Sequence, residues 1–357
     1  MTNLETTKKL LPNWVRDEGP DGDVVLSSRL RLARNLKEFP FPHKSNEQQL
    51  EAVYQAVVEA LKPQKEFGEL KIIKFEEISS LERLSLMEEH LCSPQFIEHP
   101  KQRYLVTNEG KFFSIMINEE DHLRIQTLMS GLSVDQALKL ANKLDDYLEE
   151  TLNYCFDENY GYLATCPTNA GTGIRVSVML HLPGLTMVDQ VKRVLSTLSH
   201  LGINVRGLYG EGTESFGDLY QISNQVTLGR SEEELTTNLM GVSRQVIEQE
   251  RAVREALLRE SKNKLEDRLC RSFGILTQAR LISAQEAMKL FSDVKLGVEL
   301  GIISGVSQVK LKELMFLSRS ALLQQIFGRE LAPNEREYYR AELIRAELQN
   351  REVNGDV

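Results

Sequence analysis

The chain has 357 residues, of which 41% are hydrophobic and 27% charged, a composition typical of a globular protein with one large domain or a large and a small one. Its net charge of −9 argues against general nucleic-acid binding, and no apolar stretch is long enough to cross a membrane. Residues 1–5 do not resemble a signal peptide, and the four cysteines have neither paired nor metal-ligand spacing, so we expect a cytoplasmic protein with reduced thiols and no direct nucleic-acid contact.

Residues 1–22 are polar and interrupted by proline and glycine, which predicts a lead-in arm that Trp14, the single tryptophan, anchors on the core. A strand is predicted over residues 24–32. A helix should follow from Ser45, whose hydroxyl caps it with Gln48 as the reciprocal partner. The buried stripe of that helix would consist of Leu50, Val53, Val57 and Leu61.

Helical periodicity recurs over residues 133–151 and 189–201, the first with Ala137, Leu140, Leu144 and Leu148 facing inward. Alternating apolar patterns predict strands over residues 112–118, 175–182, 203–208 and 220–226. Strands mixed with helices and Asn/Gly turns indicate an α+β fold, with a largely antiparallel sheet flanked by helices.

A long helix is predicted from Ser231, with Glu234 completing a capping box. Its apolar stripe comprises Leu235, Leu239, Val242, Val246, Val253 and Leu257, and its far half is dense in charge. The rest of the chain is helical by pattern, with starts near Ser283 and Pro333. We therefore predict an arm over 1–22, a main domain over 23–260 and a helical C-terminal domain over 261–357.

The stretch from Asn118 to Arg124 places three carboxylates, an imidazole and a guanidinium at the end of a predicted strand. Such a cluster at the mouth of a strand is a candidate site, while the alternative is a solvated turn with one salt bridge. His122 beside Asp121 does not have the spacing of a known metal site, so we predict no bound metal there.

Arginines recur on the polar faces of other predicted strands. Arg29 and Arg31 are two apart and share one face, and Arg175 follows the small-residue loop that starts at Cys166. After Arg175 the apolar residues Val176, Val178, Leu180 and Leu182 alternate with polar positions. Because guanidinium groups bind phosphate oxygens bidentately, these arginines indicate a polyphosphate site.

Together, Asn118–Arg124, Ser27–Asn35 and the Cys166–Arg175 segment resemble the catalytic core of the phosphagen (guanidino) kinases, and the bacterial protein-arginine kinases most closely. The wider resemblance covers about residues 23–255, and that to the protein-arginine kinases nearly the whole chain. It implies transfer of the ATP γ-phosphoryl group to arginine side chains of proteins, with Mg²⁺. It also implies the fold of these enzymes, an antiparallel sheet flanked by helices.

The resemblance assigns roles to individual residues. Glu120 would be the catalytic base, Glu119 and Asp121 its alternates or holders of Mg²⁺ through water, and Cys166 a thiolate that helps orient the guanidinium. His90 resembles a nucleotide-site histidine, although an ordinary helix-end histidine is the alternative. The implied ATP-binding residues are Ser27, Ser28, Arg29, Leu30, Arg31, His90, Arg124, Arg175, Val176, Ser177, Val178, Met179, Arg206, Gly207, Leu208, Tyr209, Gly210 and Glu211.

Protein-arginine kinases carry a phosphoarginine pocket marked by Arg-Asp-x-x-Arg-Ala. This chain has Arg336, Glu337, Arg340 and Ala341 at those positions, so a longer carboxylate replaces the aspartate. The alternative is an amphipathic helix with exposed charge. The resemblance further implies a homodimer, a role in stress response, an activator protein, and a repressor or Clp-type protease as partners.

The Ser-Ser-Arg motif begins at Ser27, so we expect no helical domain before it and a site open to a guanidinium on a large partner. A small-molecule guanidino kinase is the first alternative function. A non-catalytic adaptor that binds phosphoarginine or a repressor is the second, although the matched catalytic positions are all filled. A metabolic ligase with a similar sheet is a third, but it would need acidic metal ligands on several strands, which the sequence does not provide.

Overall fold

A computed structural model describes residue 8 and residues 11–209 and 215–349. Eight strands of this part form one sheet in the order β2-β3-β4-β5-β1-β8-β10-β9, and every pairing in it is antiparallel. These strands are β1 (Val25–Arg34), β2 (Leu70–Lys74), β3 (Tyr104–Asn108), β4 (Phe113–Ile117), β5 (Leu123–Ser130), β8 (Ile174–His181), β9 (Ile203–Tyr209) and β10 (Ser215–Asn224). A small hairpin of β6 (Phe156–Asp157) and β7 (Gly161–Tyr162) lies outside the sheet.

Helices cover the sheet in two sets. From residue 11 to residue 260, the α-helices within the described ranges are α1 (Asn13–Arg16), α2 (Glu47–Leu61), α3 (Ser80–Glu88), α4 (Pro94–Glu98), α5 (Val134–Glu149), α6 (Pro183–Met187), α7 (Val191–Ser199) and α8 (Glu232–Glu260). The later ones are α9 (Lys262–Gln278), α10 (Ala284–Glu299), α11 (Gln308–Leu317), α12 (Ser320–Phe327) and α13 (Pro333–Gln349). The predicted α+β class, with a helical C-terminal region, is confirmed. No helix in the described ranges is long and apolar enough to span a membrane.

The two faces of the sheet bury different cores. One face packs its apolar residues, such as Leu30, Ile125 and Val178, against α2, α5, α7 and α8. The other face contributes Leu128 and Met179 to a second core shared with the C-terminal helices and Trp14. A third, small core lies under α3 and α4 beside β2–β4. The alternation in β8 predicted one buried face, but the C-terminal helices cover the second face as well.

Between the second and third cores, the same face of the sheet carries polar residues instead of apolar ones. The residues between the two cores are Arg29, Arg31, Arg124, Gln126 and Arg175, each on a strand flanked by buried neighbours. This polar floor therefore lies between the small core under α3 and α4 and the core shared with the C-terminal helices.

The predicted caps are partly corrected. Helix α8 begins with the expected capping box of Ser231 and Glu234. Helix α2 is capped one residue later than predicted, by Asn46 with Gln49 as its reciprocal partner. The prediction of Ser45 is wrong because its hydroxyl donates to the Pro40 carbonyl at 2.5 Å instead.

The charge-dense half of α8 contains two buried charged residues, Glu250 and Arg254. The Glu250 carboxylate accepts hydrogen bonds from the Gly184 and Leu185 amides at 2.8 and 2.9 Å, and from Arg254 Nε at 2.7 Å. Arg254 also donates to the His181 carbonyl at 3.1 Å. These bonds join α8 to the end of β8, so part of this charge is structural. The predicted domain limits stay a prediction, although α8 ends and α9 begins next to residue 261.

Candidate active site

The carboxylate-rich motif forms the tight turn between β4 and β5. The Asn118 amide donates to the His122 carbonyl at 2.9 Å, and the Glu119 amide donates to the Asp121 carbonyl at 3.1 Å. Asn118 adopts a φ of +64°, a left-handed conformation that asparagine tolerates. Glu120 is exposed at the tip of the turn, whereas Glu119 and Asp121 are buried. The turn therefore directs one carboxylate outward and holds two against the protein.

His122 has a structural role in this turn. Its Nδ1 accepts from the Leu36 amide at 3.1 Å, and its Nε2 lies 3.0 Å from the Pro40 carbonyl, to which it must donate. With both ring nitrogens engaged by main chain, the imidazole has no lone pair for a metal ion. Over the described ranges, no group of three or more His, Cys, Asp or Glu residues could hold a metal.

The predicted arginines converge because strand pairing places them on the same face. Arg31 lies directly opposite Arg175 in the β1–β8 pair, and Arg29 lies opposite Ser177. Arg206 joins them from β9 through the neighbouring β10 strand. Like charges directly opposite each other destabilise a sheet unless an anion compensates them. The pairing therefore builds a cationic cluster that costs stability when it is unliganded.

A second set of contacts orients this cluster. Arg124 Nη1 lies 2.5 Å from Glu119 Oε2, and Glu119 Oε1 accepts a hydrogen bond from the Ser93 hydroxyl. Arg29 Nη2 donates to Gln221 Oε1 at 2.9 Å. Glu119 thus fixes one arginine of the cluster, whereas Glu120 makes no comparable ion pair among the residues described.

The electrostatics of the cluster favour an anionic ligand. Burial, and then the neighbouring charges of Arg29, Arg124 and Arg175, lower the pKa of Arg31 well below its ordinary value. The Nε atoms of Arg31 and Arg175 are buried and have no hydrogen-bond acceptor within the described part of the chain. Buried donors without acceptors are rare in folded proteins, so these two atoms indicate a site that a ligand's oxygens complete.

A cavity of about 750 Å³ opens over the arginine cluster. Its charged lining consists of six arginines and three glutamates: Arg29, Arg31, Arg103, Arg124, Arg175, Arg206, Glu88, Glu119 and Glu120. A smaller cavity of about 230 Å³ adjoins it and shares Arg31, Glu119, Glu120, Arg124 and Arg175. Asp121, Cys166, Thr168 and Asn169 line only this second cavity. Glu120 therefore stands where a large cationic chamber meets a small chamber that contains the thiol.

Asp121 connects the carboxylate turn to the loop that carries Cys166. Its Oδ1 accepts from Asn35 Nδ2 and from the Thr165 amide, both at 2.7 Å. Cys166 Sγ lies 3.0 Å from the Thr168 hydroxyl. Asp121 is thus saturated by protein donors on one oxygen, which favours a positioning role over proton transfer.

The end of the Cys166 loop is fixed by a buried arginine. Arg34, only 1% exposed, binds Asp145 with Nε and Nη2, at distances between 2.6 and 3.1 Å. Its Nη1 donates to the Ala33 and Thr172 carbonyls at 3.0 and 2.9 Å, and its guanidinium stacks 3.6 Å from the centre of the Tyr162 ring. This side chain holds β1, α5 and the loop together.

Gly173, which follows this loop, has a φ of +68°, and a Cβ there would lie 2.7 Å from both the Ala33 carbonyl oxygen and Arg34 Nη1. We expect Gly173→Ala to lower the free energy of unfolding by about 3 kcal/mol, from backbone strain plus this collision. Gly202→Ala is the matched control, because its φ is +73° but nothing lies within 4 Å of the added methyl group. It should cost only about 1 kcal/mol. Equal urea unfolding midpoints for the two variants would contradict the predicted crowding.

Five of the other predicted nucleotide residues lie on or beside the cavity face. Arg29, His90, Ser27, Ser177 and Met179 line a recess next to the main cavity, and Gly207 lines the cavity itself. The side chains of Ser28, Leu30, Val176 and Val178 lie on the opposite face, three in the core and Ser28 bonded to the Gly131 carbonyl. Leu208 and Tyr209 end strand β9, and Gly210 and Glu211 lie outside the described residues.

Sequence reasoning did not find several lining residues of the main cavity, among them Glu88, Ser93, Arg103, Gln126 and Gln221. Gln126 follows the same alternation as Arg124 on β5, and Gln221 alternates with the apolar Tyr220 and Ile222 on β10, which was the available signal. Ser93 caps α4 through the Phe96 amide, a local pattern that gives no hint of its contact with Glu119.

The predicted phosphoarginine residues lie on α13. Arg340 is 2% exposed and donates to the Ser318 carbonyl at 2.7 Å and to the Ile282 carbonyl at 2.9 Å. Ala341 is fully buried, and Arg336 and Glu337 are partly exposed. Arg340 therefore ties the C-terminal helices together, and a ligand pocket at this motif stays a prediction.

Comparisons with known proteins agree with this geometry. Residues 52–253 match the family described as ATP:guanido phosphotransferase, C-terminal catalytic domain. Residues 262–356 match the protein-arginine kinase McsB C-terminal domain. A protein-arginine kinase of Pelotomaculum thermopropionicum is 47% identical over 98% of this chain and 99% of its own length. That of Brevibacillus brevis is 47% identical over 94% of this chain and 95% of its own length.

Solved structures place the fold in the same group. The duplicated taurocyamine kinase from Schistosoma mansoni with bound transition state analog components superposes with a TM-score of 0.59 at 25% identity, over 68% of this chain and 36% of that chain. Lombricine kinase has a TM-score of 0.58 at 23% identity, over 69% of this chain and 72% of its own, and supports the fold alone. The family matches and the relatives over nearly the full length indicate the same family. The arginine-lined cavity beside the turn with Glu119 and Glu120 is consistent with that family. The chain therefore belongs to the protein-arginine kinase family, a branch of the ATP:guanido phosphotransferases.

Proposed function

We propose that this protein transfers the γ-phosphoryl group of ATP to arginine side chains of proteins, with Glu120 as the catalytic base. The proposal rests on the arginine cluster that contains Arg31 and Arg175. The buried Nε atoms of these two arginines have no acceptor in the described part of the chain. The exposed carboxylate of Glu120 lies beside them. A polyphosphate supplies those acceptors, and the carboxylate suits a guanidinium.

On the donor side, the cationic floor would bind the phosphates of ATP. Arg29, Arg31, Arg124, Arg175 and Arg206 line one cavity, so the charge that spreads over the transferred group meets fixed guanidinium donors. Ser27, Ser177, Met179 and His90 line a recess at one side of this floor, and we place the nucleoside end in the main cavity beside that recess.

Mg²⁺ fits this site only as an ion held mainly by nucleotide phosphates and water. Both oxygens of Glu119 are already bonded, to Ser93 and Arg124, and Asp121 is bonded to Asn35 and the Thr165 amide. Magnesium keeps several waters and typically uses one or two protein carboxylates, so Glu119 and Asp121, the predicted holders, would contact it only through water, Asp121 with its second oxygen. Its contribution would be charge neutralisation on the phosphates.

On the acceptor side, the arginine substrate is protonated, because a free guanidinium has a pKa above about 12. It must lose a proton to act as a nucleophile, and Glu120 is the proposed base. Its carboxylate would orient the guanidinium and accept one proton as the arginine nitrogen forms the N–P bond. The bond from the γ-phosphorus to the bridging oxygen breaks, and ADP leaves. Cys166 lines the same small cavity as Glu120, so we assign it to orienting the guanidinium and not to covalent catalysis.

The cellular role follows from the resemblance alone. We extend to this chain a cytoplasmic location, a homodimer, a part in stress response, an activator protein, and a repressor or Clp-type protease as partners. Phosphoarginine binding by Arg336, Glu337 and Arg340 belongs to the same proposal, with the reservation that Glu337 replaces an aspartate.

The test of this function is incubation with Mg·ATP and either a folded arginine-bearing protein or free L-arginine. We expect acid-labile phosphate on the protein and much slower turnover of free arginine. Phosphorylation of free arginine alone would assign the chain to the small-molecule guanidino kinases. Nucleotide binding without transfer to either acceptor would favour the adaptor alternative.

The pH dependence of the reaction reports on Glu120. Partial desolvation, and next the charge of Asp121, raise the pKa of Glu120 above that of an ordinary glutamate. A base must be ionised, so kcat/KM should fall as the pH drops through this raised pKa. Asp121→Asn removes the like charge, lowers the Glu120 pKa and should move the acid limb to lower pH, while the amide oxygen can still accept from Asn35 and Thr165.

The control for this shift is Asp267→Asn, an exposed residue of α9 that does not line the cavity. Its pH profile of kcat/KM should match that of the wild type. An acid limb that stays in place in Asp121→Asn would contradict the assignment of that limb to Glu120.

A further inference from the structure

The C-terminal helices contact the wall of the nucleotide cavity at a cluster formed by Glu88, His90 and Arg319. Glu88, the last residue of α3, lines the cavity, and its carboxylate accepts from the Ala321 amide at 3.0 and 3.1 Å and from the Leu322 amide at 2.9 Å. It therefore caps the start of α12, where unpaired amides and the helix dipole favour a carboxylate. One residue of the cavity wall is thus bonded directly to the C-terminal domain.

Arg319, which immediately precedes α12, makes the second connection. Its Nη1 donates to the Glu88 carbonyl at 2.6 Å and lies 3.2 Å from His90 Nε2. Its guanidinium packs 3.8 Å from the centre of the Phe316 ring. Arg319 is 8% exposed, so these contacts are made away from water, where a charged hydrogen bond is strong.

His90 is held from three parts of the chain. Trp14 of the arm stacks on its ring at 5.5 Å, and Phe316 of α11 meets the ring edge-on at 5.5 Å. Its main chain has a φ of +65°, and its carbonyl accepts from Gln126 Nε2 at 2.7 Å. A non-glycine residue keeps this backbone conformation only where its surroundings impose it.

The contact with Arg319 decides the tautomer of His90. A guanidinium can only donate, so Nε2 must carry the lone pair and the ring proton must be on Nδ1. Burial and the charges of Arg319 and Arg29 lower the pKa of His90 well below its ordinary value, which keeps the ring neutral. The imidazole thus keeps one tautomer, with its proton on Nδ1.

We propose that Arg319 is a positioning residue of the nucleotide site, which holds His90 in one tautomer and one orientation beside Arg29. Nucleotide affinity of the catalytic sheet then depends on docking of the C-terminal helices. The inference rests on the proposed function, since it takes the cavity lined by His90 and Arg29 to be the site that binds ATP.

The test is equilibrium binding of Mg·ATP to the full-length Arg319→Met protein, with steady-state kinetics beside it. Methionine keeps apolar contact with Phe316 but loses the donors to Glu88 and His90. We expect the Kd to rise about tenfold, the usual effect of losing a charge-assisted hydrogen bond, and kcat at saturating ATP to change less than about twofold. In a His90→Ala background, Arg319→Met should weaken binding by less than about twofold, because its effect passes through His90.

Lys312→Met is the matched control. Lys312 also connects the C-terminal helices to the rest of the chain, through the Trp14 and Asp17 carbonyls at 2.9 and 2.7 Å, but it does not line the nucleotide cavity. It should leave the Kd of Mg·ATP within about twofold of wild type. If Lys312→Met raised the Kd for Mg·ATP as much as Arg319→Met does, the effect would come from docking of the C-terminal helices in general. That result would overturn the specific role of Arg319.

Two further outcomes separate the inference from the function it rests on. If wild-type protein does not bind Mg·ATP, the proposed function itself fails. If wild type binds and Arg319→Met binds as well, only this inference fails. Should Arg319→Met not fold, Arg319→Lys and His90→Ala are measured instead, and a Kd for Mg·ATP equal to that of the wild type in both variants would overturn the inference.

Discussion

Glu120→Gln should lower kcat for arginine phosphorylation about 10³-fold while leaving Mg·ATP binding intact, because positioned general bases contribute about 10² to 10⁴ in rate. Glutamine keeps the size of the side chain and one acceptor oxygen but cannot take a proton. Removing a negative charge beside Arg124 and Arg31 should, if anything, strengthen binding of the phosphates. Rapid-quench measurement of acid-labile phosphate, with ATP binding measured in parallel, checks both parts.

The matched control is Glu109→Gln, because Glu109 is also an exposed glutamate in a hairpin turn, between β3 and β4, and does not line the cavity. Its kcat should equal that of the wild type. If Glu120→Gln keeps more than about one tenth of the wild-type kcat, Glu119 or Asp121 is the catalytic base instead of Glu120. Since Glu119 is bonded to Arg124 and Ser93, its substitution should disturb ATP binding as well as turnover.

Arg34→Met should be the most destabilising single change, with a loss of about 3–5 kcal/mol in the free energy of unfolding. It leaves the Asp145 carboxylate buried without its partner and removes the donor to the Thr172 carbonyl. The Cys166 loop loses its fixed end, so kcat should also fall in protein that remains folded. Urea unfolding and turnover at a temperature well below the transition measure the two effects separately.

Two variants show whether the loss comes from the uncompensated charge. Arg34→Met combined with Asp145→Leu should recover a large part of the lost stability, because replacing both partners of a buried ion pair by apolar residues is often neutral. Arg251→Met breaks ion pairs with Asp21 and Asp23, but Arg251 is 42% exposed, so it should cost no more than about 1 kcal/mol. Equal losses in Arg34→Met and Arg251→Met would contradict the argument from burial.

Local patterns of the sequence determined the fold class, much of the secondary structure and the motifs of the site. The capping box of Ser231 and Glu234 and the alternation from Arg175 to Leu182 involve residues within a few positions of each other, so no knowledge of distant partners was needed. The same alternation placed Arg29 and Arg31 on one face, and strand pairing then brought Arg175 opposite Arg31.

Predictions of helix caps were limited because neighbouring polar side chains can compete for the same capping position. Both Ser45 and Asn46 could cap α2, and the cap went to Asn46 because the Ser45 hydroxyl found the Pro40 carbonyl. The choice depends on the path of the chain before the helix, which periodicity does not specify.

Only the tertiary structure decided which polar residues are buried and what they contact. Glu250 has the sequence neighbourhood of a solvated helix face, yet its partners are the Gly184 and Leu185 amides on a distant segment. The sequence offered His90 both as a nucleotide-site histidine and as an ordinary helix-end histidine, and its contact with Arg319, 229 positions away, forms only in the folded chain. Helix and strand periodicity records which side of an element is apolar, but the partner of a buried charge is fixed by packing between elements, which no local pattern encodes.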